Sequence, residues 1–321
     1  TMTTTNTTST ATLPSVSVLR SCHAVAPPAY PEARVTLRLG TRDFSAGEFA
    51  VMAIVNRTPD SFYDRGATFD LDSALHRVDT VAAEGAKIVD IGGLSAAHGP
   101  AVSEEEEIDR TAGLVAAVRE RHPDLVISID THRAAVADAA CAAGAHLVND
   151  TWAGADPEVA AVAARWGVGL VCSHTGGLRP RTDPHRVAYR DVVADVIAAT
   201  TDLAEKAVAA GVRRDGILVD PTHDFGKNTR HSLELTRRLD LVVATGWPVL
   251  VSLSRKDFVG ETLGLPPSAR LPGTLAATAV SAWAGARVFR AHDVAETRQV
   301  LDMIAAIRGT RPPRFPRRGL M

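Results

Sequence analysis

One rhythm constrains this chain more than any other feature. Eight apolar runs of strand length recur at Val51 to Val55, Lys87 to Ile91, Leu125 to Ile129, His146 to Val148, Val168 to Cys172, Gly216 to Val219, Pro248 to Leu253 and Ala286 to Phe289. Short apolar runs bounded by polar or turn residues read as buried strands. Helix-like segments separate them, with start signals at Asp72, at Ser103 with Glu106, and at Asp293 with Glu296. Ser or Asp followed three residues later by Glu is a capping-box pattern. Eight strands alternating with helices over about 270 residues predict an α/β fold, a single (β/α)8 TIM barrel, whose usual size is about 250 residues. Val35, Leu37 and Leu39 alternate with polar residues, Gly40 and Thr41 signal a turn, and Phe44 follows, which predicts a short N-terminal hairpin. A doubly wound open sheet fits less well, because NRTPDSF rather than G-x-G-x-x-G follows the first strand.

The barrel is expected over residues 35–308. Residues 1–34 form a Thr- and Pro-rich head without apolar periodicity, read as disordered. No basic stretch precedes an apolar core there, so no signal peptide is expected. Residues 309–321 form a basic tail, read as unstructured. The 321 residues carry a formal net charge of -2, which argues against a nucleic-acid or membrane-surface partner. No apolar run approaches the roughly 20 residues a membrane helix needs. Three widely spaced cysteines, Cys22, Cys141 and Cys172, suggest neither a disulfide framework nor a zinc site, and fit a reducing cytoplasm.

Barrels of this kind place their chemistry at the carboxyl ends of the strands. There the chain carries Asn56, Asp90, Asp130, Asn149, His174, Asp220, then Ser254, Arg255 and Lys256, then Arg290 and His292. Carboxylates, an amide and a lysine match the donors and acceptors of a flat nitrogen-rich ring. Asn56, Arg290 and His292 suit phosphate oxygens, since the planar arginine fork donates two bonds at once. Blander readings stand beside these. His174 reads as a structural hydrogen-bonding histidine and Cys172 as core. Glu104 to Glu107 read as a charge cluster favourable to a helix N-terminus. His223 with Asp224 lacks a third metal ligand.

In order along the chain stand NRTPDSF (56–62), DIGG (90–93), SIDT (128–131), VND (148–150), DP (220–221), FGK (225–227), SRK (254–256), GTLAAT (273–278) and R-x-HD (290–293). This series resembles the dihydropteroate synthase family of pterin-binding barrels, from about Val35 to Ile307. The resemblance implies a transferase of folate biosynthesis. It joins 6-hydroxymethyl-7,8-dihydropterin pyrophosphate to para-aminobenzoate and releases pyrophosphate, with Mg2+ and no organic cofactor. It implies a pterin pocket of Asp130, Asn149, Asp220 and Lys256. It implies a pyrophosphate site of Asn56, Arg290 and His292, with Asn56 also the metal ligand. Ser254 and Lys227 fall on the second-substrate side, and Asp60 is a loop carboxylate. The implied catalytic set is Asn56, Asp60, Lys227, Lys256, Arg290 and His292. A homodimer through the late helices, around Leu275 to Ala284, is implied as well.

The sequence departs from that pattern in one place above all. Where the family reads GGESTRPG, this chain has GGLSAAHG (92–99), so Leu94, Ala96, Ala97 and His98 replace Glu, Thr, Arg and Pro. Removing one donor that stabilises a transition state costs about 2.7–4 kcal/mol. Thr222, His223 and Asp224 replace a Gly-rich turn, Trp152 replaces a small residue, and Arg57 replaces a usual Val. The expected result is a divergent second-copy homologue that keeps its pterin and anion pocket with weak or absent synthase activity. Two alternatives remain: a working synthase in which Arg57 or Arg65 pairs with Asp60, and a non-catalytic pterin- or anion-binding or regulatory protein. A methyltransferase branch of the same barrel group ranks last.

Overall fold

The computed structural model describes residues 37–58, 70–95, 101–182 and 188–318. A two-stranded antiparallel hairpin, β1 (Leu37–Leu39) and β2 (Arg42–Phe44), comes first. Eight parallel strands follow: β3 (Ala50–Asn56), β4 (Ile88–Gly92), β5 (Val126–Asp130), β6 (Leu147–Asp150), β7 (Gly169–Ser173), β8 (Ile217–Asp220), β9 (Leu250–Ser252) and β10 (Val288–Ala291). Their order is β8-β7-β6-β5-β4-β3-β10-β9. A bridge between Val219 and Val249 joins the two ends and closes the barrel. All eight strand expectations and the hairpin hold. The head before residue 35 lies outside the described residues, and 309–318 adopts neither helix nor strand.

Alternation along the strands builds the barrel in layers. Ala50, Met52, Ile88, Val126, Leu147, Val171, Leu218, Leu250 and Val288 form one buried apolar cluster with Leu37, Leu39 and Phe44. The hairpin therefore packs on the inward-facing side chains. A period of two then carries polar residues inward one step further along seven of the eight strands, β3 placing Ile54 there instead. Asp90, Ser128, Asn149, Ser173, Asp220, Ser252 and Arg290 each stand two residues beyond a member of that cluster. Register places Asp90 beside Ser128, Ser173 beside Asp220, and Arg290 beside Ser252. The outward residues pack against the helices in a second, larger cluster.

Helix starts correct two expectations. Asp70, not Asp72, caps α1 (Leu71–Ala83), accepting from the Ser73 N–H at 2.9 Å. Ser103 caps α2 (Glu104–Arg121) as expected, accepting from Glu106 N–H at 3.1 Å. Asp293 occupies the cap position of the helix Val294–Ile307 but makes no side-chain cap bond. Its carboxylate instead takes two bonds from Arg255, both 2.9 Å. A buried guanidinium needs a paired anion more than a helix end needs a cap.

Candidate functional site

The strand ends converge on one polar floor. Asp90 is fully buried and accepts three bonds: from Ser128 Oγ at 2.6 Å, Asn149 Nδ2 at 2.9 Å and Arg290 Nε at 2.5 Å. Arg290 Nη2 also donates to Asp130 Oδ2 at 2.6 Å. Burial drives the Asp130 carboxyl up to about 7, against the pull of Arg290. Asn149 Oδ1 is buried without a hydrogen-bond partner. Gly92 keeps this corner open, since a Cβ there would stand 3.2 Å from Asn56 Oδ1 and 3.7 Å from Asp130 Cβ.

Across the floor, Asp220 accepts from Thr222 N–H at 2.7 Å and Ser252 Oγ at 3.3 Å, and burial raises its pKa. Lys256 donates to the His223 carbonyl at 2.6 Å and lies 5.0 Å from the centre of the Phe225 ring. Burial lowers its pKa, and the Asp224 and Asp220 carboxylates oppose that shift. The three residues of SRK thus have three tasks. Lys256 faces the floor. Arg255 is buried and tied to Asp293 and to the Pro267 and Ser268 carbonyls. Ser254 Oγ meets His292 Nδ1 at 2.9 Å, so a second-substrate candidate and a pyrophosphate candidate adjoin. Burial pulls His292 down to about 3, and the Arg290 charge adds to that shift, so the ring is neutral at pH 7.

Lys227 is bonded inside the turn. Its Nζ lies 2.7 Å from His174 Nδ1, 3.0 Å from His174 O, 3.1 Å from Thr222 O and 3.0 Å from Phe225 O, so its three N–H groups are shared among four acceptors. His174 Nδ1 therefore accepts, and Nε2 donates to Asp195 at 2.7 Å. Burial brings Lys227 down to about 7 and His174 down to about 4. The structural reading of His174 holds. The ammonium clamps the loop after β7 to the turn after β8.

That turn keeps a glycine-like backbone without two of its glycines. Thr222 and Asp224 sit at φ 53° and 71°, unusual for any residue with a Cβ and most so for a β-branched one. Their side chains help hold the path. Thr222 Oγ1 donates to Asp220 O and accepts from His174 N–H. Asp224 accepts from Ser232 Oγ at 2.9 Å and Phe258 N–H at 3.1 Å. Gly226 is indispensable, because a Cβ there would lie 2.1 Å from Thr175 O. His223 Nε2 meets Thr236 Oγ1 at 3.0 Å, and among the described residues no cluster of three His, Cys, Asp or Glu can hold a metal. Trp152 is buried edge-on to Phe225, centroids 5.2 Å apart.

Asn56 ends β3 beside Gly92. Asp60, Arg65 and Ala96 to Pro100 lie outside the described residues. Arg57 Nη1 donates to the Arg110 carbonyl at 2.7 Å. The sequence assigns Asp90 no task and reads Glu107 as one of a charge cluster at a helix N-terminus. Glu104, Glu105 and Glu106 are exposed. Glu107 is fully buried, accepting from Thr131 Oγ1 and Arg133 Nη1, both at 2.8 Å. It shares the buried face of α2 with Thr111 and Leu114, which follow at helical spacing. The inward period of two would have flagged Asp90, Ser128 and Ser252. An open cavity of about 790 Å3 lies beside this floor, lined by Trp152, His174, Tyr189 and Asp195 but not by Asp130, Asp220, Lys256 or Arg290.

Fold and floor together define a parallel barrel with inward carboxylates, an amide and a lysine at the carboxyl ends of its strands. Residues 52–292 match the family described as pterin binding enzyme. A protein of Mycobacterium leprae (strain TN) named inactive dihydropteroate synthase 2 is 58% identical over 283 residues, covering 87% of this chain and 97% of its own. The dihydropteroate synthase of Yersinia pestis, solved with a sulfonamide drug complex, superposes with a TM-score of 0.80 at 35% identity, covering 86% of this chain and 100% of that one. The Xanthomonas albilineans dihydropteroate synthase in complex with 7,8-dihydropteroate gives a TM-score of 0.75 at 34% identity, covering 85% and 98%. The chain belongs to the pterin binding enzyme family, as a homologue of the dihydropteroate synthases.

Proposed function

We propose that this protein binds a pterin-type ring on the Asp130, Asn149, Asp220 and Lys256 floor and has little or no synthase activity. The observation that carries the pocket is Asn149 Oδ1, a buried acceptor with no partner beside two aspartates. A buried polar atom left unsatisfied costs about 1–3 kcal/mol, and a ring N–H arriving there removes that cost. Lys256 supplies the matching donor for a ring carbonyl. Two findings elsewhere support the reading: the Xanthomonas synthase was solved with dihydropteroate, and the M. leprae relative is named inactive.

The reaction of the family needs the bond to pyrophosphate to break before the aniline nitrogen traps the pterin methylene. Fixed cations at the leaving group stabilise the charge that develops. Arg290 is this chain's cation near that end, already paired with Asp90 and Asp130, and His292 and Asn56 add neutral hydrogen-bonding groups there. Mg2+ fits the rim only with help from the ligand. Asn56 offers one amide oxygen, and Mg2+ commonly takes the rest of its shell from phosphate and water. Bound there, the ion would neutralise leaving-group charge. The second-substrate side lacks its loop cation, since Ala97 stands where the family has Arg and Leu94 where it has Glu. Without that group the trapping step loses its support while the floor is untouched.

Val280, Trp283, Met303 and Ile307 are exposed on the last two helices, and a second copy of the chain covering them accounts for so much apolar surface. No helix among the described residues is long and apolar enough to cross a membrane. Buried, free Cys141 and Cys172 suit a reducing cytoplasm. Calorimetry with 6-hydroxymethylpterin, followed by a synthase assay with the pterin pyrophosphate, para-aminobenzoate and Mg2+, tests the reading. Pterin binding without dihydropteroate formation is expected. Turnover of order one per second would overturn the inactive assignment, and absence of pterin binding would overturn the pocket.

A further inference from the structure

The floor contains one carboxylate that no proposed contact uses. Asp90 is fully buried, yet it accepts from three side chains on three other strands: Ser128, Asn149 and Arg290. We infer that Asp90 is a positioning residue that sets the hydrogen-bond polarity of the pterin floor, and through it the preference for a ring with an amino group over one with a carbonyl. This rests on the pterin-pocket reading above.

A carboxylate ringed by three donors acts as an acceptor, so the group facing it is a donor. The Asn149 amide has two ends of nearly equal size and opposite polarity. Asp90 Oδ2 at 2.9 Å from Nδ2 fixes which end points where. The nitrogen is held by Asp90, and Oδ1 becomes the unpartnered buried acceptor. Ser128 Oγ on the other carboxylate oxygen, at 2.6 Å, stops Asp90 from turning away. Arg290 Nε completes the shell and is itself held across to Asp130. The floor therefore offers acceptors from Asn149, Asp130 and Asp220. A 2-amino-4-oxopteridine brings N–H groups to such a surface. A 2,4-dioxopteridine brings a carbonyl oxygen where the amino group was, oxygen against oxygen. Sites built to hydrogen-bond an N–H reject the analogue that lacks it by large factors, because the buried partner is left unpaired.

Neither Ser128 nor Asp90 has to touch the ring for this to work. Asp90→Asn keeps the volume of residue 90 but gives it both a donor and an acceptor. The Asn149 amide then has no fixed orientation and offers its nitrogen or its oxygen to the ring.

Fluorescence titration of the full chain with pterin and with lumazine reads the ratio of the two dissociation constants. Wild type should favour pterin at least tenfold. Asn149→Ala, which removes the acceptor, should bring that ratio to within about threefold of unity. Asp90→Asn should do the same, and the double variant should go no further, since both act through one atom. A merely structural role for Asp90 would weaken both ligands equally and leave the ratio alone, which would overturn the inference. So would effects on the ratio that multiply in the double variant. If Asp90→Asn does not fold, Ser128→Ala reads the same ratio, with a two- to threefold decline expected and no change contradicting. Wild type that binds neither ring would bring down the pocket reading and this inference together. Pterin binding with an unmoved ratio would bring down this inference alone.

Discussion

The floor and the turn that borders it solve the same problem in opposite ways. On the floor, carboxylates are held mainly by other side chains: Asp90 by three donors, Asp130 by Arg290, Asp220 by Ser252 and a backbone N–H, while Asn149 Oδ1 alone among these is left without a partner. In the turn, side chains serve the backbone. Thr222, Asp224 and Lys227 bond main-chain groups so that a left-handed path survives at two positions without glycine. A change on the floor strands a buried partner. A change in the turn is absorbed where the new side chain finds a bond. The sequence 92–99 is a third case, GGLSAAHG where the resemblance leads one to expect GGESTRPG. A barrel can therefore lose the reaction and keep the pocket, since the floor is braced by its own inward side chains.

The sharpest way to break this contrast lies in the turn. Gly226→Ala meets both a φ of 62° and the Thr175 carbonyl, and no side chain can repair either. We expect a loss of about 3 kcal/mol in a denaturant titration; a loss below about 1 kcal/mol would show the turn to be looser than described. On the floor, Lys256→Met removes the donor to the His223 carbonyl and the cation beside Asp220. The expected cost falls on binding: pterin affinity drops by about 10- to 100-fold, or about 1.5–3 kcal/mol, as read by calorimetry.

A pH series separates the clamp from the floor. Burial, then the Lys227 charge, hold His174 down to about 4, whereas a solvated histidine titrates near 6.5. Between those values the unfolded chain binds a proton that the folded chain does not. The stability contributed by His174 therefore falls with falling pH, by about 1.4 kcal/mol per pH unit. His174→Gln removes that dependence, so the stability gap between wild type and variant should narrow from pH 6.5 to pH 4. A constant gap would place the proton elsewhere. The smallest effect belongs to Thr222→Gly. Relief of a left-handed β-branched residue, worth about 1–2 kcal/mol, offsets loss of the Oγ1 bonds to Asp220 O and His174 N–H. The net change in stability should stay within about 1 kcal/mol.

Much of this was legible in the sequence, for identifiable reasons. Strand-length apolar runs are strong signals because a parallel barrel buries both faces of each strand. Residues at strand ends were found because the chain has to surface there. What stayed hidden was decided across strands. Asp90 reads as one more acidic residue until three other strands point donors at it. Glu107 sits in a run of four glutamates, and only the helical phase separates it from the exposed three. Asp293 carried a valid capping pattern, yet Arg255, 38 residues earlier, took its carboxylate. Lys227 matched a second-substrate position, and only the turn geometry reveals the carbonyls it holds.

The central claim is that the pterin floor is kept while the transfer step is lost. A single-turnover experiment tests both halves at once: labelled pterin pyrophosphate is bound to excess protein with Mg2+, para-aminobenzoate is added, and bound label and dihydropteroate are counted over time. The account predicts label retained on the protein with dihydropteroate forming at least hundreds-fold more slowly than the order of one per second common among enzymes. Conversion near that rate, or label that never binds, would contradict it.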